Sequence, residues 1–199
     1  MAAAAGEGGA IQRGAEPGYA DLMAATDDRD DPVTLAFAGT IALAALRPPP
    51  YDVPIAGLAG GELAQLARSR FPRLPAGFAL RDGAGDALAD RHDEFADLVA
   101  LLLEAGSPDD ATTTWLAHAV ATASMGGNHL WQDMGLPSRD LLSTLLLARF
   151  PALARRNTGD MRWKKFFYRE LCRRSGLLLC KAPSCGECVD YPKCFGPEG

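Results

Sequence analysis

The chain has 199 residues, of which 48% are apolar and 23% are charged, with a formal net charge of −5. This length and apolar content are enough for one well-buried domain, and slightly short for two. Residues that favour strands are sparse beside Ala and Leu, so the composition predicts an all-α protein, a single helical bundle.

The lack of a recognisable targeting signal favours a cytoplasmic protein. The N-terminal residues show no secretory signal, because they lack a basic region followed by an apolar core. The longest apolar stretch, Leu35 to Leu46, is shorter than the roughly 20 residues that cross a bilayer. The sequence therefore predicts no membrane partner, and a reducing cytosol argues against structural disulfides.

The sequence predicts three consecutive parts. Residues 1–30 are rich in Ala, Gly and acidic residues without apolar periodicity, which indicates a disordered tail. Residues 31–176 form the predicted helical domain, and residues 177–199 the cysteine-rich loop. A glycine-containing loop is expected over residues 73–89.

Apolar periodicity and capping residues predict the helices of the domain. Ser107 is expected to be an N-cap, with Pro108 in the first turn and Asp110 as the acid of a capping box. Residues 128–137 are expected to connect two helices, and Pro151 to end the second of them. The predicted helices cover residues 33–46, 62–71, 91–105, 109–125, 138–150 and 160–176.

The last predicted helix has two distinct faces. Its apolar stripe, at spacings of three and four, predicts contact with the core, and its basic residues share another face that is expected to be exposed. Between Arg155 and Lys181 the chain has nine basic and two acidic residues. This basic block precedes the cysteines, so it favours an anionic ligand there. The stripe is Trp163, Phe166, Phe167 and Leu171; the basic face is Arg162, Lys165, Arg169 and Arg173.

Four cysteines close to the C-terminus predict a metal site with the spacing Cys-x4-Cys-x2-Cys-x5-Cys. Structural zinc sites usually have two Cys-x2-Cys pairs, whereas this segment has one pair flanked by single cysteines. The first three cysteines match the Cys-x4-Cys-x2-Cys order of plant-type iron–sulfur ferredoxins, in which the fourth ligand is far away in the sequence. Spacing alone leaves an iron–sulfur or mixed-metal cluster, zinc, and disulfides as alternatives. The four residues are Cys180, Cys185, Cys188 and Cys194.

From Asn128 to Gly196 the chain resembles the NifQ family of nitrogen-fixation proteins. The resemblance is carried by the run "NHLW", the helix "MRWKKFFYRELC" and the cysteine spacing, and it extends more loosely over about half the chain. It implies a molybdenum–iron–sulfur cluster, held by Cys180, Cys185, Cys188 and Cys194. It also implies delivery of molybdenum for assembly of the nitrogenase iron–molybdenum cofactor, with an assembly scaffold and the nitrogenase iron protein as partners and molybdate as a ligand.

The histidines and acids outside the cysteine segment have ordinary and functional interpretations. His129 lies in a loop inside the resembling run, so it is a candidate metal ligand or site-lining residue. His118 is interpreted as a hydrogen-bonded core histidine. Glu94 and Asp97 share a helix face and are interpreted as exposed or paired with Arg139 or Arg162, since no Glu-x-x-His motif supports a carboxylate-bridged site.

Two other functions compete with a metal carrier that is not an enzyme. One is a zinc-stabilised helical nucleic-acid-binding protein that uses the basic helix on phosphates, although the acidic chain and inward aromatics disfavour it. The other is an electron-transfer protein with a redox-stable cluster. A turnover enzyme is disfavoured because the sequence shows no nucleophile with its base and no cofactor loop.

Overall fold

A computed structural model describes residues 16–76, 78, 80, 88, 92, 94–106, 110–176 and 191–196. Within these ranges every regular element is a helix and there is no strand, which confirms the all-α prediction. The helices are Tyr19–Ala24 (α1), Pro32–Ala44 (α2), Gly60–Arg70 (α3), Glu94–Leu103 (α4), Ala111–Ser124 (α5), Leu130–Asp133 (α6), Arg139–Arg149 (α7), Pro151–Ala154 (α8), Trp163–Arg174 (α9) and Tyr191–Phe195 (α10).

Side-chain caps set the start of three of the main helices. Asp31 accepts a hydrogen bond from the Thr34 amide and precedes Pro32 at the first position of α2. Ser138 accepts one from the Leu141 amide at the start of α7. Asp110 caps α5 and accepts a hydrogen bond from the Thr112 amide. The N-cap of α5 is therefore Asp110 rather than the predicted Ser107, which itself lies outside the described residues.

Helix α5 lies at the centre of the bundle. It packs against α2, α4 and α6, while α2 also contacts α1 and α7, and α9 covers α4. As predicted, α9 turns its aromatic stripe inward: Trp163, Phe166 and Phe167 are buried and pack against one another. The apolar face of α9 thus belongs to the core, and its other faces remain available for polar contacts.

The backbone of α2 closely approaches the connector between α6 and α7. A Cβ atom at Gly39 would lie 2.3 Å from the carbonyl oxygen of Met134, and Gly135 adopts a φ of 64° at the crossing. Only glycine fits such a contact without displacing backbone. This contact fixes the segment that carries His129 against the helical core.

Several expectations about the boundaries need correction. In residues 16–30 the predicted tail is wrong, because α1 forms there and Leu22 is fully buried; residues 1–15 lie outside the described part. The 128–137 connector contains α6, and Pro151 begins α8 after α7 ends. Leu88, expected in a loop, is helical and buried. No helix in the described part of the chain is long and apolar enough to cross a membrane.

Candidate metal centre

The site is built on the segment that joins α5 to α7. His129 is the N-cap residue of α6, and its amide donates to Oε1 of Gln132 at 3.1 Å. The capping contact is thus made by the backbone of His129, which leaves the imidazole to other partners. The imidazole lines a small cavity, described below, so this sequence-predicted residue stands at the candidate site.

A buried carboxylate holds the segment in place. Asp133 is 1% exposed and forms ion pairs of 2.6 Å with both Arg47, beyond the end of α2, and Lys164 on α9. It also accepts hydrogen bonds from the amide and the side chain of Asn128. Four donors therefore satisfy a charge that would be costly to bury alone.

Packing around this carboxylate is tight. A Cβ atom at Gly126 would lie 2.4 Å from Oδ2 of Asp133, so the chain before α6 folds directly over the carboxylate. Lys164 also donates to the carbonyl oxygen of Gly126 at 2.8 Å. One cluster therefore joins α2, the α6 segment and α9.

The environment of Lys164 combines opposing effects on its pKa. Burial lowers the pKa of the Lys164 ammonium below its usual value and the charge of Arg47 acts in the same direction, while the hydrogen bond and charge of Asp133 oppose the shift. The result is a lysine fixed by its pairing rather than exposed to solvent. Sequence analysis missed the roles of Asp133, Lys164 and Arg47.

Cys194 lies in α10, which α9 anchors. The amide of Arg162 donates to the Cys194 carbonyl oxygen at 2.7 Å, and the guanidinium donates to the Gly196 carbonyl oxygen at 3.2 Å. The Phe195 ring packs within 3.3 Å of the Cβ position of Gly159. Cys194 and Phe195 are partly buried against the core. The last predicted cysteine ligand is therefore held at the start of α9.

A cavity of about 150 Å³ lies between this anchored end and the α6 segment. Lys193, the residue before Cys194, and His129 line the same cavity. The structure thus brings the neighbourhood of one predicted cysteine ligand together with the predicted histidine. The lining consists of Asn128, His129, Leu130, Leu142, Arg162, Trp163, Lys164, Lys165 and Lys193.

The basic face of α9 is partly neutralised. Glu170 is 4% exposed and pairs with Arg156 at 3.0 Å and with Arg173 at 3.1 Å, with Arg169 farther away at 3.9 Å. Arg174 pairs with Glu104, which directly follows α4. The expected outward basic face is therefore confirmed for exposed Lys165 and Arg173, whereas Arg169 is half-buried beside Glu170.

Glu94 accepts a hydrogen bond from the Tyr168 hydroxyl at 3.2 Å. Arg139, one of its expected partners, instead pairs with Asp160. Burial, together with the charge and hydrogen bond of Glu94, raises the pKa of Tyr168 to about 12. The carboxylate stabilises the neutral phenol because it accepts a hydrogen bond from the hydroxyl and its charge disfavours the phenolate.

This pairing predicts an alkaline transition that belongs to Tyr168. A free phenol ionises near pH 10, so between pH 10 and about 12 the folded state keeps a proton that the unfolded chain has lost. The phenol's contribution to stability is therefore complete below pH 10 and is lost as the pH rises through about 12. In a pH titration followed by tyrosinate absorbance, Tyr168→Phe should remove the step near pH 12. Tyr19→Phe leaves the Tyr168–Glu94 pair intact and should retain it, and persistence of the step in Tyr168→Phe would refute the assignment.

The remaining candidates have structural roles. The His118 ring lies 2.9 Å from the Ala56 carbonyl oxygen and packs against Phe95, which confirms the hydrogen-bonded interpretation. Cys172 is partly buried on α9. Cys180, Cys185 and Cys188 lie outside the described residues. Among the residues that are described, no group of three or more His, Cys, Asp or Glu side chains is close enough to hold a metal ion.

These features define a helical protein whose C-terminal cysteine segment ends against a basic cavity. The family model described as NifQ matches residues 20–196. The chain is 42% identical to "Protein NifQ" of Azotobacter vinelandii over 151 residues, which is 71% of this chain and 77% of the relative. It is 41% identical to "Protein NifQ" of Rhodobacter capsulatus over 147 residues, 71% and 76% of the two chains.

A third relative matches a shorter region. "Protein NifQ" of Klebsiella pneumoniae is 47% identical over 81 residues, 40% of this chain and 48% of that protein. No solved structure matches the chain. The chain belongs to the NifQ family of nitrogen-fixation proteins. The resemblance inferred from the sequence is thereby confirmed, and the nucleic-acid-binding alternative has no support in these comparisons.

Proposed function

We propose that this protein is a carrier that supplies molybdenum for assembly of the nitrogenase iron–molybdenum cofactor. In this proposal Cys180, Cys185, Cys188 and Cys194 hold a molybdenum–iron–sulfur cluster. The observation that carries the proposal is the position of Cys194, on a helix anchored beside the cavity that His129 lines. Membership of the NifQ family supports it.

The donor chemistry of the site fits such a cluster. Cysteine thiolates are soft ligands that suit iron–sulfur centres, and imidazole suits iron as well. Lys193, Arg162 and Lys165 place positive charge in the cavity beside α10, which favours an anionic ligand there. The cluster, when bound, would supply a sulfur-rich position for molybdenum.

The residues of the chain have distinct tasks in this account. Arg162 fixes the backbone of α10, so the Cys194 thiol is held by a rigid element rather than by a loose terminus. His129 offers one additional donor close to that end. These tasks are holding and release of a metal, so the protein acts as a carrier rather than as a turnover enzyme.

Transfer of molybdenum to a partner protein tests the proposal. The partners are the cofactor-assembly scaffold and the nitrogenase iron protein. Protein purified without oxygen from molybdate-supplied cells should transfer its molybdenum to that scaffold, measured as molybdenum that comigrates with the scaffold after separation. Retention of all the metal by the carrier, in the presence of scaffold and iron protein, would contradict the delivery role.

A further inference from the structure

The cavity beside α10 has an unusual charge. Four of the residues that line it are cations, and none of the described lining residues is acidic. The nearest buried carboxylate, Asp133, already interacts with both Lys164 and Arg47. Asp133, Lys164 and Arg47 together therefore have a net positive charge. This charge adds to the positive electrostatic potential inside the cavity.

The other lining residues supply positive charge and hydrogen-bond donors. Lys165 is exposed and forms no ion pair with any described residue. Arg162 also lines the cavity, and its Nε donates a hydrogen bond to the Gly196 carbonyl oxygen. Asn128 and His129 add an amide and an imidazole, both of which can donate hydrogen bonds. Charge-assisted donors of this kind recognise oxyanions.

The size of the cavity limits the ligand. Its volume of about 150 Å³ is below the roughly 300–1,000 Å³ of pockets for drug-sized molecules. The space therefore suits a small ion rather than a large organic ligand. A nucleotide or a peptide is too large to enter it completely.

We propose that this cavity binds a tetrahedral oxyanion with two negative charges, and that the ion bound in the cell is molybdate. The positive lining and the small volume support the binding of an oxyanion. The choice of molybdate over sulfate or phosphate, which share its shape, rests on the proposed function. Lys165 on α9 and Lys193 on α10 both supply positive charge to the cavity.

The proposed oxyanion site lies beside the described end of the cysteine segment. Lys193 directly precedes Cys194, so an ion bound in the cavity lies beside a predicted cluster ligand. Molybdenum would thus arrive as an oxyanion and bind close to Cys194. The proposal concerns this binding step alone.

Equilibrium dialysis of the full chain, at fixed ionic strength and without oxygen, tests the site. Molybdate, sulfate and phosphate are the probes, and the test variant combines Lys165→Gln with Lys193→Gln. Loss of two charge-assisted contacts should weaken molybdate binding at least about tenfold. The control combines Arg29→Gln with Arg155→Gln, which removes the same charge from exposed residues outside the lining and should retain affinity within about twofold.

Each outcome supports or overturns the proposal. Wild-type affinity in the double-lysine variant, at unchanged helix content by circular dichroism, would overturn it, as would the absence of molybdate binding by the wild type. Tighter binding of sulfate or phosphate than of molybdate would overturn the choice of ion.

Two further measurements separate this site from the proposed cluster. Cys188→Ala should still bind molybdate, and a loss there would place the anion on the thiolates instead. Iron content, measured on the same samples, reports on the proposed cluster independently. Molybdate binding by a protein that contains no iron would support the cavity site and contradict the carrier function. Iron in a protein that does not bind molybdate would contradict the cavity site alone.

Discussion

Replacing Asp133 with alanine is expected to lower the free energy of unfolding by about 3–5 kcal/mol. The substitution leaves Lys164 and Arg47 without their buried counter-charge and removes the acceptor for both donors of Asn128. It therefore detaches α2 and α9 from the segment that carries His129. Urea unfolding followed by circular dichroism measures the loss.

Asp27→Ala is the matched control for this prediction. Asp27 also pairs with an arginine, Arg73, at 2.5 Å, but its side chain is 78% exposed. An exposed pair of this kind contributes up to about 1 kcal/mol, because water already solvates both charges. If Asp133→Ala were no more destabilising than Asp27→Ala, the buried cluster would not be what holds the segment.

Replacing Cys188 with alanine is expected to abolish iron binding and molybdenum delivery while the helical fold survives. Thiolates are the donors that hold iron–sulfur clusters, and a missing thiolate leaves one position without its ligand. The described core is built from helices in residues 16–176. Iron content and transfer of molybdenum to the assembly scaffold, measured together with circular dichroism, distinguish loss of the cluster from loss of fold.

Cys172→Ala provides the comparison for the cluster ligand. Cys172 is a partly buried thiol on α9, eight residues before the first predicted ligand. We expect this variant to retain its metal, because Cys172 is outside the predicted ligand set. Wild-type metal loading in Cys188→Ala would refute the assignment of that cysteine as a ligand.

The main helices could be predicted because their signals are local. Asp31 before Pro32, Ser138 before an apolar run, and the spacing of aromatics on α9 all act within one or two turns. Helix α1 was missed because its six residues are too few to show a period, and the burial of Leu22 depends on contact with α2. Ser107 and Asp110 are both good caps, and sequence alone does not choose between them.

For the candidate site, too, local features could be predicted from the sequence and long-range contacts could not. The motif around His129 identified the segment, and the basic block before the cysteines predicted positive charge where the cavity lies. The partnership of Asp133 with Arg47 joins residues 86 positions apart, which no periodicity or spacing reveals. Glu170 looked like a minor exception in a basic helix, yet it is buried and neutralises part of that face.

The central claim is that the cysteine segment holds a cluster of iron, sulfide and molybdenum. Elemental analysis with a visible absorption spectrum, on protein purified without oxygen from molybdate-supplied cells, tests it most directly. We expect iron, sulfide and molybdenum together with a broad brown absorbance. One zinc per chain and no visible colour would contradict it and make the cysteine segment a structural zinc site.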